Sequence, residues 1–294
     1  VEELLASPRY GERWGRHWLD IARYADTGGY ETDIYYKNAW RYRDYVIRSF
    51  NADKTFDVFI QEQIAGDLLD AKSIEQRSDQ ITATGFLVLG NVNIVEADKL
   101  VMRMDIVDQQ IEKFGKAFLG MTLNCVRCHD HKFDPITMND YYGLAGIFAS
   151  TESTHKTDRG VWSTLTTAQI PETLEQFRRR QDALRSHQQV LAEVQTERTT
   201  AEFRIKDLDS LIKAAKETPP SDTQTSPVAE WEKERNELAG KLPKLDQRLW
   251  HLAYLEPGSP VAYAVTDASV IADARVQVRG NPHTPGAIVS RGFI

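Results

Sequence analysis

The sequence predicts a mainly α protein: a helical domain, then a long antiparallel coiled-coil helical hairpin, then a short β segment at the C-terminus. Three observations carry this. Residues 1–165 hold several helix-period apolar stretches with recognisable caps, residues 166–256 carry heptads broken by one proline-rich stretch, and residues 257–294 turn to alternating β-branched runs.

In the first segment, Ser7-Pro8 is an N-cap and first-turn pair, and the stretch to Ala25 places Tyr10, Trp14, His17, Ile21 and Tyr24 at spacings of four and three. That spacing predicts one buried helix face with His17 on it. After Gly28-Gly29, helices are expected at 39–50, capped by Asn38, and at 55–69. Others follow at 78–88, at 105–118 with Gly120 as the stop, and at 139–148.

From 171 to 216 the apolar positions fall into heptads. Phe177, Leu184, Leu191, Ile205 and Ile212 form one row, broken by Arg198, and Val194, Ala201, Leu208 and Ala215 form the other. Thr218 to Pro227, with three prolines, reads as a turn or linker. A second helix at 228–254 repeats Trp231, Leu238, Leu245 and Leu252 seven apart, with Leu242 and Leu249 beside them. Two heptad helices joined by a short breaker predict the antiparallel hairpin, and Pro243 predicts a kink in its second arm. Past Pro257-Gly258, 261–265 and 274–278 read as strands that begin a further domain. The chain opens on Val1-Glu2-Glu3 without Met and stops at Arg291-Gly292-Phe293-Ile294 with strand-like sequence in progress, so a longer native polypeptide is expected.

With 41% hydrophobic and 27% charged residues, the 294-residue chain has ordinary globular composition, which excludes disordered and collagen-like classes. The longest apolar run, 83–95, is too short and too polar to span a membrane. A net charge of −7 argues against nucleic acid as a partner. The Arg178-Arg179-Arg180 cluster lies among Glu172, Glu175 and Asp182 and reads as a solvated helix face.

One motif carries chemistry. Cys125-Val126-Arg127-Cys128-His129 is C-x-x-C-H, the pattern of c-type haem attachment, and these are the only two cysteines. Two thiols three residues apart on a helical turn reach the two vinyl groups of one haem edge, and the next imidazole falls beneath the iron. The motif therefore predicts one covalent haem c with His129 as proximal iron ligand, and makes 1–165 a helical c-type haem domain. Three other readings compete: a zinc site completed by His131, a thioredoxin-like dithiol, and a small-loop disulfide.

His17, on the expected apolar face beside Trp14, Trp18 and Tyr24, is the candidate distal iron ligand; a hydrogen-bonded core histidine is the alternative. Met121, Met138, Met102 and Met104 are weaker candidates. His131 lies too near the proximal ligand, His155 and His283 fall in polar loops, and His187 and His251 on the hairpin. Residues 1–50 hold 11 of the 28 aromatics, among them Trp14, Trp18, Tyr30, Tyr35, Tyr36 and Trp40, which suit a haem crevice, a sugar-stacking surface or ordinary core. Acidic residues cluster at Asp26, Glu31 and Asp33, and at Asp130 and Asp134. The latter two are candidates to orient a histidine or to cap a helix.

Gly11 through Asp20 (GERWGRHWLD), Arg23-Tyr24-Ala25-Asp26, Ala39 through Asp44, Glu62 through Asp67, and Cys125 through Ile136 with Tyr141-Tyr142 and 146–151 resemble the planctomycete-type cytochrome domain family. In large exported proteins that domain is typically followed by a second planctomycete-specific domain, whose lead-in Arg279-Gly280 and Arg291-Gly292-Phe293 resemble. The resemblance covers about the first 155 residues and implies export and a link to polysaccharide-degrading gene neighbourhoods, often with sulfatases. The expectation is an exported, periplasmic c-type cytochrome in electron transfer or serving as redox module of a complex-carbohydrate-processing system. Its expected partners are a redox protein, a further domain of the same polypeptide, a polysaccharide, and protein contacts through the coiled coil. A scaffold or binding protein with a structural haem, or a zinc-stabilised domain, is the alternative.

Overall fold

The computed structural model describes residues 1–30, 33–158, 160–217, 227–258 and 260–293. The chain divides into two compact units, Val1–Glu172 with Pro260–Ile294, and Thr173–Ser259.

The first unit is helical: α1 Glu2–Leu5, α2 Arg9–Ile21, α3 Trp40–Asn51, α4 Phe56–Ala65, α5 Ile74–Ala83, α6 Gly85–Val88, α7 Lys99–Phe114 and α8 Met138–Ala149. Side-chain caps start three of them. Ser73 Oγ accepts from Gln76 N, Asp98 accepts from Leu100 N and Val101 N, and Thr137 with Asp140 forms a capping box. Helix α2 does not bury the face that its apolar spacing predicts. Its buried residues are Gly11, Gly15 and Trp18. A Cβ on Gly11 would stand 2.3 Å from the Ile47 carbonyl oxygen, and one on Gly15 3.3 Å from Val46 Cγ1, so the glycines let α3 come close. Trp14, His17 and Ile21 turn to solvent as a result.

Trp18 leads into the core, with its ring 4.8 Å from Phe59, 5.9 Å from Phe86 and 6.0 Å from Phe118. Its Nε1 donates to Tyr42 Oη at 3.0 Å and to Gln63 Oε1 at 3.2 Å, so the indole is satisfied inside. Tyr36, Tyr42 and Tyr45 are also core, whereas Trp14, Tyr30, Tyr35 and Trp40 are exposed. Lys113 of α7 is buried, and its Nζ donates to the carbonyls of Phe86 (2.7 Å) and Leu89 (2.8 Å). Burial, with a smaller push from Arg23, brings its pKa down to about 7.

Among the described residues, eight short strands form four antiparallel pairs. β1 Thr151–Glu152 pairs with β6 Thr266–Asp267, β2 Thr154–Lys156 with β3 Ser163–Leu165, β4 Thr167–Gln169 with β5 Val261–Tyr263, and β7 Ala274–Gln277 with β8 Pro285–Val289. The segment read as the start of a further domain thus pairs with 151–169 inside the first unit, and Val276, Val289 and Phe293 pack on its core.

The second unit is a helical pair, α9 Leu174–Glu217 and α10 Val228–Tyr254. Val194, Ala201, Leu208 and Ile212 of α9 and Leu245 of α10 are buried, which is the predicted seam. Helix α10 runs through Pro243. The break expected at 218–227 lies outside the described residues except for Pro227. Among the described residues no helix is long and apolar enough to cross a membrane.

Candidate functional site

The cysteine motif lies in the 3-10 turn Asn124–Arg127, with Cys128 as its cap. Leu123 and Val126, three apart, are the turn's buried anchors. With those two side chains inward, Cys125, Cys128 and His129 face solvent, and both thiols are free. The turn is pinned to α8 through Tyr142 Oη, which donates to the Arg127 carbonyl at 2.8 Å.

This arrangement does not fit a haem, which corrects the expectation of a covalent haem c. Among the described residues no group of three or more His, Cys, Asp or Glu side chains is placed to hold a metal ion, which also removes the zinc set Cys125, Cys128, His129 and His131. Gly280 packs beside the turn, where a Cβ would stand 2.6 Å from Cys128 Sγ. His129 Nδ1 lies 2.7 Å from the carbonyl of Asp130, and His131 Nδ1 accepts from Asp134 N at 2.9 Å. The proposed distal ligand His17 is exposed and lies against Trp14, ring centroids 5.4 Å apart, while rings fill the interior behind Trp18. Met102 and Met104 are core residues, and Met121 and Met138 pack at its edge. His155 is exposed on β2, and His283 pairs with Asp98. Asp130 accepts from Met138 N at the start of α8, and Asp134 approaches His131. Asp26 accepts from Tyr24 Oη and Asp33 from Gly29 N, whereas Glu31 lies outside the described residues.

The turn connects instead to a carboxylate cleft. Arg127, between the two cysteines, holds Asp105 of α7 at 2.7 Å. One helical turn further, Asp108 accepts from Tyr141 Oη of α8. Burial holds the Asp108 carboxyl above the usual carboxylate range, against the Tyr141 hydrogen bond and the Arg127 charge that pull it down. Asp105 and Asp108 line a cavity of about 310 Å³ with Tyr30, Asn93, Glu96, Met102, Ile106 and Gln109. Tyr30 has its ring half exposed and its backbone at φ 59°, a left-handed conformation that costs a tyrosine on the order of 1 kcal/mol.

Such a cleft presents planar carboxylates and amides around an aromatic face, with the carboxylates oriented from behind by Arg127 and Tyr141. It can accept and donate several hydrogen bonds at once. Tyr30 stood out in the sequence as one of many aromatics. Asn93, Glu96, Asp105, Asp108 and Gln109 did not, because acids and amides three or four apart on a helix look the same as any solvated face. The one available signal was Arg127 inside the cysteine motif, a cation in need of a partner.

No curated protein and no solved structure matches the chain. The family model described as "PSCyt2: Protein of unknown function (DUF1549)" matches residues 1–153, just over half of the 294. The match spans the cysteine turn, α7 and α8, so the cleft is built within it, and the chain belongs to this planctomycete-type family.

Proposed function

We propose that the first unit is a carbohydrate-binding module of an exported, complex-carbohydrate-processing system, and that the helical pair is its protein-contact arm. The observation that carries the reading is the cleft, where one exposed tyrosine with a left-handed backbone stands among five carboxylate and amide side chains. Sugar rings offer an apolar face for stacking and vicinal hydroxyls for planar acceptors, which are the two chemistries this lining provides. The family resemblance supports the exported setting. The arm is supported by length: α9 has 44 residues against 27 in α10, and its first turns carry the exposed Leu174 and Phe177.

Titration of the full chain with a panel of neutral oligosaccharides, read by calorimetry, tests the reading. Binding should weaken about tenfold in Tyr30→Ala and in Asp105→Asn, the loss expected for one stacking ring or one charged hydrogen bond. If no oligosaccharide binds, or if the variants bind as the parent does, the cleft is not a sugar site.

A further inference from the structure

A second cavity, of about 380 Å³, lies on the other side of Met102 and Ile106, which line both. Its electrostatics are the reverse of the cleft's. Lys99 and Arg103 reach it from α7 and Lys156 from β2, with His155 beside them, and Glu152 is the one carboxylate among its described lining residues. None of the three cations has an ion-pair partner among the described residues. Lys99 Nζ donates to the Val161 carbonyl and to Ser163 Oγ, and Arg103 to the Ala149 carbonyl, so both side chains are held in place without being neutralised. In a chain of net charge −7 this is a net positive local field, three cations against the single Glu152 among the described lining residues.

An unsatisfied acceptor is buried in the cavity's wall. Gln110, 1% exposed, lines it, and its Nε2 is spent on the Leu87 carbonyl at 3.0 Å. Its Oε1 has no hydrogen-bond partner among the described residues. A buried carbonyl oxygen left unpaired costs on the order of 1 to 3 kcal/mol, and a ligand that donates to it recovers that cost. A fully deprotonated inorganic anion such as sulfate has no proton to donate there, and a neutral polyol gains nothing from the cations.

We propose that this cavity binds a small organic anion that also carries hydroxyl groups, its acidic group among Lys99, Arg103 and Lys156 and one hydroxyl donating to Gln110 Oε1. The requirement for both chemistries selects sugar acids and sugar phosphates over simple sugars and over fully deprotonated inorganic anions such as sulfate. This goes beyond the cleft reading and stands if that reading fails, because the two sites share only apolar wall residues.

The test is calorimetric or NMR titration of the full chain with glucuronate, glucose 6-phosphate, glucose and inorganic sulfate. Glucuronate or glucose 6-phosphate should bind about tenfold more tightly than sulfate, glucose should not bind here, and the better of the two names the acidic group. Lys156→Glu, on an exposed strand residue, should weaken the organic anion about tenfold and leave glucose unchanged. Gln110→Leu should bring the organic anion down to the level of sulfate. If that variant does not fold, Lys156→Glu decides alone. Organic-anion binding that Lys156→Glu leaves intact, or glucose binding that Lys156→Glu weakens as much as it weakens glucuronate, overturns the proposal. Oligosaccharide titration of the same Lys156→Glu protein reads the cleft separately.

Discussion

The two units are held by different physics. In the first, large side chains close on one another from several elements: Tyr42, Tyr45, Tyr141, Tyr142, Phe86 and Leu123 are almost wholly enclosed, glycines admit backbone at short range, and a lysine is buried among carbonyls. In the second, a seam of Val194, Ala201, Leu208, Ile212 and Leu245 is the whole buried core among the described residues, flanked by ion pairs in solvent. An enclosed core responds to added volume and to pH, because neither a methyl group nor a proton can be accommodated without cost. A two-helix seam yields to small shifts and answers to salt.

The largest effect should come from filling a glycine contact. Gly11→Val places a branched side chain where even a Cβ would stand 2.3 Å from the Ile47 oxygen, and the Asn51 side chain that accepts from Gly11 N must move as well. A loss of about 4 kcal/mol is expected from the first unit's urea transition, with the helical pair's transition unmoved. A loss below about 1 kcal/mol would mean that α2 and α3 slide apart freely.

Next is the response to pH. Lys113 has a folded pKa of about 7 against an ordinary 10.5. Below pH 7 both states hold the proton and the burial penalty is complete. Between 7 and 10.5 the unfolded chain is protonated and the folded one is not, so stability rises with pH. Above that window it is flat. The first unit should gain a few kcal/mol across it, and Lys113→Met should abolish the slope. The helical pair should show no such rise, and a parallel rise in both units would sink the assignment to Lys113.

How legible each unit was in the sequence follows the same division. The helical pair depends on one period repeated many times, and its second helix appears at 228–254 as the heptads predict. Helix α2 depends on residues with no side chain, so counting Tyr10, Trp14, His17 and Ile21 selected the wrong face, and the distal-ligand reading of His17 fell with it. The strands at 151–169 are two or three residues long and find their partners about 100 residues away or across a short turn, too brief for any period to show. The cysteine motif was plain as a pattern. What it could not show is that Leu123 and Val126 take the inward positions, which decides that the thiols point outward. The cleft was illegible because its acids become a site only when α7 meets Arg127 and Tyr141.

A smaller effect tests the seam itself. Leu208 is the most enclosed residue of α9, and Leu208→Ala should cost the helical pair about 2 to 3 kcal/mol, near the low end for a leucine because two helices can close on part of the cavity. The first unit's transition should stay where it is. A shift of both transitions would show that the units unfold together.

The smallest effect concerns the ion pairs that flank the seam. Arg204 meets Glu234 through two contacts, Nε to Oε1 at 2.9 Å and Nη2 to Oε2 at 3.1 Å, while Arg198 pairs with Asp246, Arg235 with Asp209 and Lys216 with Glu232. All of these join α9 to α10 and lie in solvent, where holding two long side chains in one geometry offsets most of the attraction. Their contribution is therefore to register more than to stability, since sliding one helix by a turn would break every pair at once. Glu234→Gln should lower the helical pair's melting temperature slightly in low salt. The difference should vanish near 1 M salt, where the screening length falls to about 3 Å. Exchanging the charges, Arg204→Glu with Glu234→Arg, should restore the low-salt value that either single reversal loses. A deficit that persists at high salt, or an exchange that restores nothing, would show that these residues act through packing against the seam and that the register is set by the apolar rows alone.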